Sequence, residues 1–153
     1  MTGCLLTLDN IELLVEFEQQ ARETEADIFV DGFDAVQFRK STEDALGNPQ
    51  FSNARCLLCV EDEKVIGRLD YCIISSLSFS GNIQVYVDWV YVLKECRHRG
   101  VAQFLFSQME EMIKAMGISE YFLHMAENDE AMRFYGNVKG AEISAVDVLR
   151  KLL

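Results

Sequence analysis

The chain has 153 residues, half of them apolar, and a formal net charge of −11. That length predicts one domain spanning 1–153 with a core of its own, and the acidity excludes a nucleic-acid-binding surface, which needs a basic patch. No apolar run approaches a membrane span, and the first residues lack the basic flank and apolar stretch of a signal peptide, so the expectation is a cytoplasmic protein without membrane or nucleic-acid partners.

In chain order, residues 5–8 read as a short strand. Asp9 or Asn10 then caps an expected helix through Ile11, Leu14, Val15, Phe17 and Glu18 to about Arg22. A second helix is predicted over 34–46, stopped by Gly47-Asn48-Pro49. Residues 55–61 and 64–77 form the arms of an expected hairpin that turns at Asp62-Glu63. A turn at Ser80-Gly81-Asn82 leads into a strand over 83–93. The apolar series Phe104, Leu105, Met109, Met112, Ile113 and Met116 predicts a helix over 101–116, with Gly117 as its C-terminal cap. A strand over 119–125, a helix over 129–137 and a strand over 141–151 complete the chain. The antiparallel hairpins exclude a doubly wound parallel fold and leave a mixed α/β sheet.

Five cysteines, Cys4, Cys56, Cys59, Cys72 and Cys96, lie mostly in apolar strand patterns, which suits reduced core thiols better than a disulfide framework. Cys56-x-x-Cys59 is half a zinc motif. No second pair at ligand spacing completes it, and on a strand its two side chains face opposite ways, so no metal is expected.

The most informative stretch runs from Val90 to Ala102. An apolar strand stops, a short loop carries Arg97, His98, Arg99 and Gly100, and a helix begins. Such a junction is an anion site, because unpaired N–H groups and the positive end of the helix dipole meet at the loop. The loop has neither the paired glycines and Lys-Ser/Thr of a nucleotide-triphosphate loop nor the three spaced glycines of a dinucleotide fingerprint. A cofactor diphosphate is the anion that suits it.

Arg97-x-x-Gly100-x-Ala102 resembles the pyrophosphate loop of the GNAT superfamily of acyl-coenzyme A N-acyltransferases. Downstream, Asn128-x-x-Ala131-x-x-Phe134-Tyr135 matches a second GNAT pattern at every fixed position, and it follows the apolar run Tyr121 to Met125. The resemblance covers roughly residues 55–151. It implies the GNAT fold, an α/β arrangement whose mostly antiparallel mixed sheet is flanked by helices and splayed between its fourth and fifth strands, with the coenzyme in the gap. It further implies acetyl-CoA as co-substrate. By resemblance, the backbone of Val90 and Val92 meets the pantetheine arm, Arg97, His98, Arg99, Gly100, Val101 and Ala102 surround the diphosphate, and Asn128 hydrogen-bonds the pantetheine. Members usually carry a proline shortly after this strand, where this chain has Lys94-Glu95. A homodimer is common in the family.

Acetyl transfer from a thioester to an amine expels a thiolate, and a phenol within reach can protonate it, the role the resemblance implies for Tyr135. By residue pattern alone, Tyr135 equally suits a helix-face tyrosine packed beside Phe134, and Asn128 an N-cap. The incoming ammonium must lose a proton. His98 sits among the arginines and His124 in an expected strand of unknown facing, so a carboxylate is the better base. Asp88, flanked by Val87 and Trp89, is best placed, and some aminoglycoside acetyltransferases of the superfamily carry an acid there; a solvated strand carboxylate is the competing reading. Glu23, Glu25 and Glu127 are weaker candidates to line the acceptor pocket. Cys96 adjoins the phosphate loop rather than the thioester, so direct transfer in a ternary complex is expected over an acetyl-cysteine.

The acceptor is expected to be a primary amine: a polyamine, an aminoglycoside-like sugar or a peptide amine. An acidic surface draws in cationic solutes, and it also simply keeps a protein soluble. The alternative function is a non-catalytic acetyl-CoA-binding sensor on the same fold.

Overall fold

Alternating apolar residues over 54–61, 64–75 and 83–92 build an antiparallel meander. A computed structural model describes residues 1–26, 28–29, 32–77, 82–126, 128–145 and 151. These fall into two compact units, Met1–Leu123 and His124–Leu153.

The first unit holds a five-stranded sheet in the order β1 (Thr2–Leu5), β2 (Ala54–Glu61), β3 (Lys64–Ser75), β4 (Ile83–Val92) and β5 (Tyr121–Leu123). The first four strands pair antiparallel and β5 pairs parallel to β4. The β2–β3 turn is as expected at Asp62 and Glu63, both left-handed (φ 50° and 64°), which matches the twist of a two-residue hairpin. The first strand lies three residues earlier than the expected 5–8. Asn10 ends it: its Oδ1 accepts from Thr7 N–H (2.7 Å) and its Nδ2 donates to the Leu5 carbonyl (2.9 Å), folding residues 8–10 into a 3₁₀ turn.

Helix α1 (Ile11–Thr24) buries Ile11, Leu14, Val15, Phe17, Glu18 and Ala21, and Asn10 stands at its N-cap without a side-chain cap bond. Helix α2 (Ala35–Gly47) is capped by Asp34, whose side chain accepts from the N–H groups of Val36 and Gln37. On the other face of the sheet, α3 (Val101–Ala115) buries Val101, Leu105, Phe106, Met109 and Ile113, while Met116 lies beyond the helix and is exposed. Gly117 (φ 78°) follows as the expected cap. Gly67 in β3 permits this close packing: a Cβ there would stand 2.7 Å from Val101 Cγ1 and 3.2 Å from Leu105 Cδ1.

In the second unit, α4 (Asp129–Tyr135) is capped by Asn128, whose side chain accepts from Ala131 N–H at 2.9 Å. The expected strand over 119–125 is shorter, and His124 lies outside it, exposed. Of the expected strand over 141–151, residues 141–145 are not in a strand, and 146–150 lie outside the described residues, as do Ser80 and Gly81 of the expected turn. Among the described residues no helix is long and apolar enough to cross a membrane.

Candidate functional site

Two features of β4 set the site in the first unit. The first is its pairing with β5, which covers Val85↔Tyr121, Tyr86↔Phe122 and Val87↔Leu123 and then ends. Beyond Val87, β4 runs on to Val92 while β5 has ended at Leu123, and an extended ligand could hydrogen-bond along that part of β4.

The second is a bulge. Asp70 pairs with Trp89 and Tyr71 with Val87, leaving Asp88 as the extra residue. Before it, Val85 and Val87 face α3, as does their β3 neighbour Tyr71, whose hydroxyl lies 3.9 Å from Met112 Sδ. After it, Val90 and Val92 take that face and Trp89 and Tyr91 the α1 face, because one inserted residue reverses the alternation. Asp88 and Trp89 are consecutive and both exposed, which a regular half-buried strand would not allow. Tyr86 and Phe122 share the α1 face, ring centres 5.3 Å apart.

Just before Lys94-Glu95, which stand where the family pattern has proline, Leu93 (φ −51°, ψ 137°) leads the chain into a 3₁₀ turn at Lys94–Cys96. Gln20 Nε2 braces the turn through Glu95 Oε1 at 2.7 Å. His98 (φ 58°) and Gly100 (φ 82°) are left-handed, and Gly100 is the N-cap of α3. The first helical bond runs from Phe104 N–H to the Gly100 carbonyl (2.9 Å), so the N–H groups of Val101, Ala102 and Gln103 point out of the helix end. Left-handed residues alternating with ordinary ones turn successive N–H groups inward, a concavity for an anion. Among the described residues, this loop and helix end make a fitting cradle for a diphosphate.

The loop arginines have carboxylate partners. Arg97 pairs with Glu25, and Arg99 Nη2 with Glu61 Oε2 at 2.6 Å. The latter pair raises the Arg99 pKa, and the Arg99 side chain stays half exposed. Sequence reading noted Glu25 only as a pocket-lining residue and missed Glu61 and Tyr91. A signal for Glu25 existed, since it continues the Ile11, Leu14, Glu18, Ala21 spacing on the inward face of α1.

That face also carries Glu18, 5 % exposed, which pairs with Arg22 and Arg68; Arg68 in turn pairs with Asp70, its Nε donating to Oδ1 at 3.0 Å. Burial alone would lower the Arg68 pKa, but Asp70 and Glu18 hold it above its ordinary value. Burial pushes the Cys56 thiol well up, helped by Asp70, and Cys59 up to about 11, so neither is a thiolate nucleophile. Glu23 is exposed and accepts from Gln19 at 3.0 Å; Glu127 lies outside the described residues.

In the second unit, Asn128 and Tyr135 stand at the two ends of α4. Tyr135 packs edge-on to Phe134, ring centres 5.2 Å apart, and burial raises its phenol pKa.

The sequence model of the acetyltransferase (GNAT) family matches residues 15–140. The chain belongs to the GNAT acetyltransferase family. GNAT acetyltransferases use acetyl-CoA as co-substrate, and the five-stranded mixed sheet with its flanking helices is the GNAT fold. Solved structures agree at the level of fold. An aminoglycoside acetyltransferase from an uncultured soil metagenomic sample, in complex with trehalose, is 19 % identical with a TM-score of 0.74, over 99 % of this chain and 96 % of that one. A ribosomal-protein-alanine N-acetyltransferase from Brucella melitensis biovar Abortus 2308 is 16 % identical with a TM-score of 0.73, over 99 % and 100 %. A transcriptional regulator from Bacillus halodurans C-125 is 16 % identical with a TM-score of 0.77, over 99 % of each chain. No curated protein sequence matches the chain significantly.

Proposed function

We propose that the chain moves the acetyl group of acetyl-CoA onto a primary amine, by direct transfer in a ternary complex. The observation that carries this is the left-handed loop at the N-terminus of α3, close along the chain to the β4 edge that β5 leaves after Val87. N–H groups from His98 to Ala102 cradle the diphosphate, with Arg97 and Arg99 in the same loop, and the backbone of Val90 and Val92 takes the pantetheine. We take 1–153 as one N-acetyltransferase domain, since the family match crosses the boundary between the two units.

On this reading Asp88, exposed on its bulge, attracts the ammonium and receives its proton directly or through water. Tyr135, by its place in the family motif, protonates the departing thiolate; its raised pKa keeps the proton on the phenol at neutral pH. Asn128 donates its amide to the pantetheine while its oxygen caps α4. A cationic acceptor fits the charge of −11, and two of the fold neighbours are named for amine substrates, an aminoglycoside and a ribosomal protein's alanine.

Thiol release from acetyl-CoA, followed over aminoglycosides, polyamines, amino acids and peptides, tests the proposal. At least one amine is expected to turn over. Tight coenzyme binding with no release across the panel would leave the non-catalytic acetyl-CoA-binding module, a reading that the transcriptional regulator of the same fold keeps in view.

A further inference from the structure

A carboxylate withdrawn from water is costly unless charged partners surround it. Glu25, at the C-cap of α1, is 7 % exposed. Its Oε1 accepts from Arg97 Nη1 at 3.1 Å, and its Oε2 accepts from Arg97 Nη2 and from the Tyr91 hydroxyl at 2.6 Å. Arg97 Nε donates to the Val92 carbonyl at 3.2 Å, and the guanidinium stands 5.6 Å from the centre of the Tyr91 ring. One carboxylate therefore joins the end of α1, the end of β4 and the first residue of the diphosphate loop.

This arrangement bears on how the loop holds an anion. The residue after Arg97 is His98, left-handed without being glycine, a conformation that survives only where its surroundings over-determine it. A two-pronged guanidinium–carboxylate pair fixes orientation as well as distance. If the Arg97 side chain turned toward a ligand, it would strip the buried Glu25 of its counter-charge. Arg99 is different: its partner Glu61 is at the surface, and such pairs exchange readily.

We propose that Glu25 is a positioning residue for the coenzyme, holding Arg97 as an internal strut so that the diphosphate is taken by the loop's backbone N–H groups and by Arg99, not by the Arg97 guanidinium. The inference rests on the acetyl-CoA reading above. It reverses the sign of one experiment. A direct Arg97 contact would be strengthened, or left alone, by removing the Glu25 charge; a strut would be broken by it.

Calorimetric titration with coenzyme A decides between them. Glu25→Gln and Arg97→Gln are each expected to weaken binding by about ten- to a hundredfold, with the double variant no weaker than the weaker single. Tyr91→Phe, which removes one hydroxyl, shifts affinity the same way by less, and it decides the matter if Glu25→Gln fails to fold. A general loss of structure is separated by the donor: kcat/KM falls for acetyl-CoA and holds for S-acetylpantetheine, which has no diphosphate. Unchanged or tighter coenzyme binding by Glu25→Gln, or by Tyr91→Phe where that variant decides, overturns the strut. Failure of the unaltered protein to bind coenzyme A overturns the acetyl-CoA reading instead.

Discussion

Tyr135 and Arg97 show what a side chain's surroundings add to its place in a motif. Tyr135 was legible as a candidate acid because Asn128-x-x-Ala131-x-x-Phe134-Tyr135 identifies it, and its surroundings add that burial raises its phenol pKa. Tyr135→Phe is expected to lower turnover by about 10²–10⁴-fold with coenzyme affinity nearly unchanged; steady-state rates beside a coenzyme titration check both, and undiminished turnover removes Tyr135 from the mechanism. Arg97 was legible as a loop cation, but the motif could not say which way its guanidinium turns. The buried carboxylate that claims it lies 72 residues earlier. Asn128 was legible as an N-cap because that bond is local, reaching only to Ala131.

Elements with strong periodicity were legible to within a few residues: α1, α2, α3 and the β2–β3 hairpin all stand near their expected positions. The β4 bulge was not, because a bulge is a mismatch between two strands and one strand's pattern does not contain its partner's register. The length of β5 escaped for a similar reason: Leu123 ends the pairing although the apolar run goes on to Met125. Gly67 carries an element-scale prediction. Gly67→Ala places a methyl 2.7 Å from Val101 Cγ1, at the first turn of α3 beside the Arg97–Gly100 loop. The Val101 side chain or the helix end that carries it must shift, at a cost of about 1–3 kcal/mol. A lower melting temperature together with weaker coenzyme binding is expected; a variant that melts and binds like the parent shows that α3 adapts freely.

Across the whole molecule, acidity and stability are coupled through Glu25. Burial alone would raise its pKa, but the Tyr91 hydroxyl and the Arg97 guanidinium outweigh that and hold it below the ordinary value of 4.5. A depressed carboxylate stabilises the fold at pH values above its unfolded pKa, and that contribution fades as pH falls through the folded one. Urea unfolding at a series of pH values should therefore find Glu25→Gln less stable than the parent near neutrality, with the difference shrinking below about pH 4.5. A difference that stays constant down to pH 3 would mean that Glu25 acts by packing and not by charge. The sequence by itself determined the family and the order of helices and strands from β1 to α4, and it singled out the loop at Arg97–Ala102 and Tyr135 as candidates, since each rests on a local pattern or a short motif. Only the tertiary structure decided where the pairing of β4 with β5 ends, that Asp88 stands out on a bulge, and that Arg97 turns inward to Glu25. Those outcomes depend on strand register and on side chains meeting across long stretches of chain, which no local pattern encodes.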